Sequence, residues 1–104
     1  MIKVKYQISD NIVKNIEIKG HAKHGDFGQD IVCASVSTVA ITSVNAIISL
    51  DVDAITYEEK DGYLKITKTN DNESANKILN NLINMLTELA EDYPKNISIR
   101  NEDK

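Results

Sequence analysis

The chain has 104 residues, a formal net charge of 12 − 16 = −4, 41% hydrophobic residues and 27% charged ones. The length suits one domain, and a disordered chain is excluded because it would hold fewer apolar residues and more net charge. The acidic balance argues against direct nucleic-acid binding, which calls for a basic stripe. The longest unbroken apolar run, Ile31-Val32-Cys33-Ala34, falls far short of the ~20 residues of a membrane span.

Residues 1–5 alternate instead of leading into an apolar core segment, so no signal peptide is expected. Ile2, Val4, Tyr6 and Ile8 alternate with Lys3, Lys5 and Gln7, the period of a half-buried strand. Ser9-Asp10-Asn11 reads as a turn, since Asp and Asn tolerate left-handed backbone. Ile12, Ile16 and Ile18, broken by Lys14, Asn15 and Glu17, form the second arm of a hairpin. Residues 20–30 carry Gly20, Gly25 and Gly28 without apolar period and read as a loop.

From Ile31 to Leu50 there is neither Pro nor Gly, and Val32, Val36, Ala40, Val44 and Ile47 recur at helical steps. This is too long for a strand, and its apolar circumference of small residues predicts a central buried helix. Asp30 would be its N-cap. Two β-favouring runs, 54–59 and 63–67, flank Lys60-Asp61-Gly62, a hairpin signal. A second helix is predicted from Glu73 to Asp92, with Ala75, Ile78, Leu79, Leu82, Leu86 and Leu89 inward and Asn76, Lys77, Asn80, Asn84 and Glu91 wet. Asn72 or Ser74 would cap it, Pro94 stops it, and residues 97–99 form a last strand before a solvated tail. The order ββαββαβ predicts a single α+β domain over residues 1–104, two helices packed on a largely antiparallel sheet.

Chemistry concentrates between Gly20 and Ala34. His21 stands where the second strand ends, and Cys33 in the first turn of the long helix as predicted. Unpaired backbone N–H groups at a helix start favour a thiolate, and an imidazolium nearby adds to the effect. A loop folding back to bring His21 against Cys33 would make an activated nucleophile with its general base. Against this stand an inert buried thiol, a solvated histidine and a purely capping Asp30, which alternatively orients His21. The single cysteine, Cys33, excludes an intrachain disulfide and fits a reducing, cytoplasmic setting.

Gly20-His21-Ala22, five residues, then Gly28-x-Asp30-Ile31-Val32-Cys33-Ala34 with Ser37 a turn later, resembles the ribosomal-processing cysteine protease family, Prp. Element order and length extend the resemblance over nearly the whole chain. It implies a cofactor-free cysteine endopeptidase that removes the N-terminal extension of large-subunit ribosomal protein twenty-seven during ribosome assembly. Carried over, His21 is the catalytic base and acid, Cys33 the nucleophile, and Asp30, Ala34 and Ser37 are supporting motif positions. Ser37 either bonds near the sulfur or is simply small enough for close packing. The resemblance also implies a homodimer and a loop over the site. Gly25 and Gly28 would let that loop open and close, and Phe27 would contact substrate or tuck into the core.

Two other classes compete. His21, His24 and Cys33 with Asp26 or Asp30 offer four zinc ligands, but no CxxC-type element accompanies them. Alternatively the thiol serves a regulatory module as an oxidant sensor, associated with the ribosome. The Gly25-Asp26-Phe27-Gly28 match to an RNA-clamping loop carries an acidic residue and follows a strand, so it is discounted.

Overall fold

A computed structural model describes residues 1–20 and 27–102, with the backbone alone for 27–30. The elements run β1 (Ile2–Ser9), β2 (Ile12–Lys19), α1 (Phe27–Leu50), β3 (Ile55–Lys60), β4 (Tyr63–Lys68), α2 (Glu73–Asp92) and β5 (Ile97–Asn101). The expected ββαββαβ order and α+β class hold. The five strands form one sheet in the order β3-β4-β2-β1-β5. Every neighbouring pair is antiparallel except β1 and β5, which run parallel from Ile2↔Ile97 to Tyr6↔Asn101. The last strand therefore extends to Asn101 instead of leaving it in a tail, and Glu102 N–H donates to the Tyr6 carbonyl at 2.6 Å.

The β1–β2 turn closes between paired Ser9 and Ile12, with Asp10 at φ 53° and Asn11 at φ 64°. Positive φ at both central residues matches the twist of the strands, and Asp and Asn bear it at low cost. The register then shifts: Gln7 pairs with Asn15 and Ile8 with Val13, leaving Lys14 as an extra residue. This bulge reverses the inward phase. Val13, not Ile12, joins Ile16 and Ile18 in the core, and Ile12 is exposed, contrary to the alternation read from the sequence.

One face of the sheet carries Ile2, Val4, Ile16, Ile18, Leu64, Ile66 and Ile97 into a core shared with both helices. Helix α1 begins four residues earlier than expected, at Phe27, so residues 27–30 are helix and not loop. It buries Val32, Val36, Ala40, Val44 and Ile47, while Ala34, Ser37, Thr38, Thr42 and Asn45 are exposed. It is thus a covering helix with one buried stripe, not a helix enclosed all round. Its outer face is small and hydroxylated at Ser37, Thr38 and Thr42, while half-buried Ser35 and buried Ser43 return their hydroxyls to the Ile31 and Val39 carbonyls. That composition keeps the mean hydropathy of Ile31–Leu50 at 2.0, long and apolar enough by length and composition to cross a membrane. The unbroken-run criterion of the sequence analysis missed this, because isolated Ser and Thr interrupt runs without lowering the average much. In this fold the helix's apolar stripe is taken up by the protein core.

Helix α2 has the bounds expected, and the Asn72 side chain, rather than Ser74, caps it by accepting from Ala75 N–H at 2.8 Å. Asn76 and Asn80 are half-buried instead of wet. Asn76 accepts from Val13 N–H at 2.9 Å, and both asparagines donate to the Asn11 carbonyl. They hold the β1–β2 turn to the helix. At the other end of α1, Asp51 accepts from Asn70 and Asn72, each at 3.1 Å, and from Asp53 N–H at 3.0 Å. These bonds, Asn70 foremost and then Asp53 and Asn72, hold the Asp51 carboxyl below its ordinary value of 3.8.

A folded value lower than the unfolded one stabilises above pH 3.8, and that contribution is lost as pH falls through the folded value. Asp51→Asn is expected to flatten the acid-side decline in stability, read by urea unfolding over a pH series. Asn72→Ala, losing the cap, should cost about 1 kcal/mol at neutral pH.

Candidate active site

Burial of Val32 and Val36 fixes the rotation of α1 about its axis. Because residues four apart share a helix face, Cys33, Ser37 and Ile41 then line up on the flank beside that stripe. This flank forms one wall of a cleft of about 340 Å³. Ala34, Val36 and Ala40 extend the wall, Ile2, Ile18 and Gly20 supply the strand ends, and residues 59–64 of the β3–β4 hairpin stand opposite. Cys33 is half-buried, with its side chain both packed against the core and facing the cleft.

Gly20 anchors the entrance. Its N–H donates to the Gly62 carbonyl at 2.8 Å, and its φ is +98°. A Cβ there would stand 2.5 Å from the Met1 carbonyl oxygen, so only glycine fits. Across the hairpin, Gly62 has φ 71° in the turn between paired Lys60 and Tyr63. The Tyr63 hydroxyl donates to Glu17 at 2.9 Å, and this bond is the main reason its pKa is raised above 10.0. The N-terminus, the exit of β2 and the hairpin thus meet at one edge of the cleft.

The structure brings together Cys33, Ala34 and Ser37 among the residues singled out by sequence. Ala34 and Ser37 are exposed on the helix. His21 and Gly25, with the alternative zinc ligands His24 and Asp26, lie outside the described residues, as do the side chains of Phe27 and Asp30 and the surroundings of Gly28. Among the described residues no group of three metal-ligating side chains occurs. His21 follows Gly20 directly in the chain, and Gly20 lines the cleft that holds Cys33.

Two expectations are corrected. Asp30 is the fourth residue of α1 and not its N-cap, because the helix already starts at Phe27. Cys33 consequently lies in the second turn, beyond the first four residues, whose N–H groups lack helical partners. Helical side chains lean toward the N-terminus, so a thiol here still inclines toward that first turn. The opposing hairpin wall escaped sequence analysis entirely. Asp61-Gly62 signalled a turn, but no local pattern says which helix a turn will face.

The family model of cysteine protease Prp matches residues 1–98. The chain belongs to that family. It is 37% identical over 103 residues to the ribosomal processing cysteine protease Prp of Staphylococcus aureus (strain Mu50), covering 95% of this chain and 97% of that one. It is also similar to the crystal structure of an essential ribosomal processing protease Prp from S. aureus in complex with a substrate peptide. There the TM-score is 0.89 at 34% identity, over 98% of this chain and 100% of the other. A second S. aureus Prp structure, with a covalently linked product peptide, gives a TM-score of 0.87 at 35% identity with the same coverage. The chain is accordingly a cysteine protease of Prp type, built on the α+β architecture of its structural relatives.

Gly20→Ala places a side chain at a strained φ and against the Met1 carbonyl. A loss of about 1–3 kcal/mol in stability is expected by chemical denaturation. Peptidase activity should fall further than stability explains, because Gly20 lines the cleft that holds Cys33.

Proposed function

We propose that this Prp-family protein is an endopeptidase that removes the N-terminal extension of large-subunit ribosomal protein twenty-seven, with Cys33 as nucleophile and His21 as base and acid. The observation that carries the reading is that the chain's one cysteine lines a cleft open to a peptide. A cysteine protease needs a thiol within reach of its substrate, and Cys33 is the sole candidate. The substrate assignment rests on the family, whose relatives bear the name ribosomal processing protease.

In this mechanism His21 takes the Cys33 proton and the sulfur attacks the scissile carbonyl carbon, forming a C–S bond. Charge builds on the carbonyl oxygen, where N–H donors of the first turn of α1 stabilise it. As the intermediate collapses, the C–N bond breaks and His21 returns its proton to the leaving amine. Water, deprotonated by His21, then attacks the thioester and releases the new carboxylate and the thiol. No step calls for a metal or cofactor. Asp30, Ala34 and Ser37 support the nucleophile's helix, Gly25 belongs to the segment that closes over substrate, and Phe27 and Gly28, which open α1, adjoin that segment. The protein acts in the cytoplasm as a homodimer, for which the exposed Leu50 and Val52 supply apolar surface. It needs neither a membrane nor direct contact with nucleic acid.

Mass spectrometry of the extension peptide incubated with the protein tests this. Cys33→Ala is expected to remain folded and abolish cleavage, and His21→Ala to slow it by about 10²–10⁴. Near-normal cleavage by either variant would remove the dyad. A folded native protein that leaves the extension intact would remove the substrate.

A further inference from the structure

Helix α1 stands between two cavities. Cys33 and Ser37 line its flank toward the catalytic cleft, and Ser35 lines the other flank, toward a groove of about 470 Å³ between α1 and α2. Ala34 sits on the exposed crest between those flanks and lines both cavities. The groove exists because α1 brings only small side chains, Ala34, Ser35 and Thr38, to the α2 face that carries Met85 and Leu89. Residues four apart share a helix face, so Met85 and Leu89 make one continuous apolar floor. The Ser35 hydroxyl donates to the Ile31 carbonyl at 2.9 Å, which satisfies it within its own helix. Met85 is 38% exposed, and its unbranched, adaptable side chain is of the kind that accepts varied apolar partners. Glu88 and Asp92 edge the groove, and no lysine or arginine is among the described residues that line it.

We infer that this groove is an exosite of the peptidase, seating an apolar side chain of the substrate polypeptide after the chain has crossed α1 at Ala34. This rests on the endopeptidase reading and adds where the chain runs beyond the cleft. An endopeptidase cuts inside a polypeptide, so its substrate leaves the nucleophile in both directions. The catalytic cleft, about 340 Å³, is at the small end of ligand sites and cannot hold both arms. One way out passes over the crest of α1, where Ala34 adds only a methyl group, and drops into the groove. A helix with its side chains is about 10–12 Å across, and an extended chain advances about 3.3 Å per residue. The seated residue therefore lies roughly three or four positions from the scissile bond. Carboxylates at the rim repel an acidic neighbour, so the anchor belongs to a neutral or basic segment. Leu50, proposed above as dimer surface, is 50 − 34 = 16 residues further along α1 than Ala34. At about 1.5 Å per residue that is roughly 24 Å, so a contact there does not call on the groove.

The test uses dye-labelled peptides spanning the processing site of large-subunit ribosomal protein twenty-seven, with about six residues on each side. Leu, Ala or Asp is placed in turn at the third or fourth residue from the scissile bond, first on one side and then on the other. Binding to the Cys33→Ala protein is read by fluorescence anisotropy, and cleavage by the native protein is read in parallel. On one side Leu should bind roughly tenfold more tightly than Ala, the scale of partly burying one aliphatic side chain, and Asp more weakly than Ala. Met85→Glu should erase the difference between Leu and Ala, leaving binding and cleavage of the Ala peptide unchanged, and Met85→Leu should keep it. Neither variant threatens the fold, since Met85 is exposed on α2 and both replacements are good helix formers. The inference is overturned if Leu gives no gain on either side, if the gain survives Met85→Glu, or if no peptide binds. It is also overturned if Met85→Glu splits a dimer into monomers on size-exclusion chromatography, which would assign the groove to a second copy. Leu-selective binding without cleavage would leave it standing and remove the peptidase mechanism. Cleavage indifferent to Leu would do the reverse.

Discussion

One-sided burial of α1 is the constraint on which both fold and site depend. Val32, Val36, Ala40, Val44 and Ile47 lie on one stripe and have nowhere else to hide from water than the sheet face. Fully burying each large aliphatic side chain contributes about 1.5–3 kcal/mol, so rotating the helix would sacrifice several such contributions together. The same rotation decides what the neighbouring stripe does. Cys33 comes one residue after Val32 and cannot enter the core without expelling it. The thiol is therefore held at the core's edge, half-buried, where it faces the hairpin.

The second requirement is that three distant segments meet at that edge without collision. Gly20 allows it, because the absence of a Cβ lets the exit of β2 pass under the Met1 carbonyl while its N–H binds Gly62. The backbone bond ties the base of the His21 segment to the opposing wall. In the dyad proposed above, with eleven residues between Cys33 and His21, such an anchor would shorten the search of one group for the other. Proximity and orientation of this kind supply a large part of catalytic rate.

Much was legible before folding was considered. The alternation of β1, the Asp-Gly hairpin, the bounds of α2 and the Prp motif around Cys33 are local patterns, each carried by neighbours in the chain. Failures cluster where distant parts decide. The bulge at Lys14 reversed the phase of β2, and the Asn76 and Asn80 bonds to the turn turned two wet residues into ties. The early start of α1 likewise moved Asp30 off the cap and Cys33 into the second turn. Glycine at position 28 argues against helix on propensity alone, and tertiary context overrides so weak a preference.

The amino-acid order by itself determined the succession of elements, the family and the one thiol available for chemistry, because these depend on short-range periodicity, turn-forming residues and motif spacing. Only the tertiary structure decided that the β3–β4 hairpin stands across from that thiol. Strand register and helix rotation are set by packing between residues far apart in the chain, and no window along the sequence contains both partners.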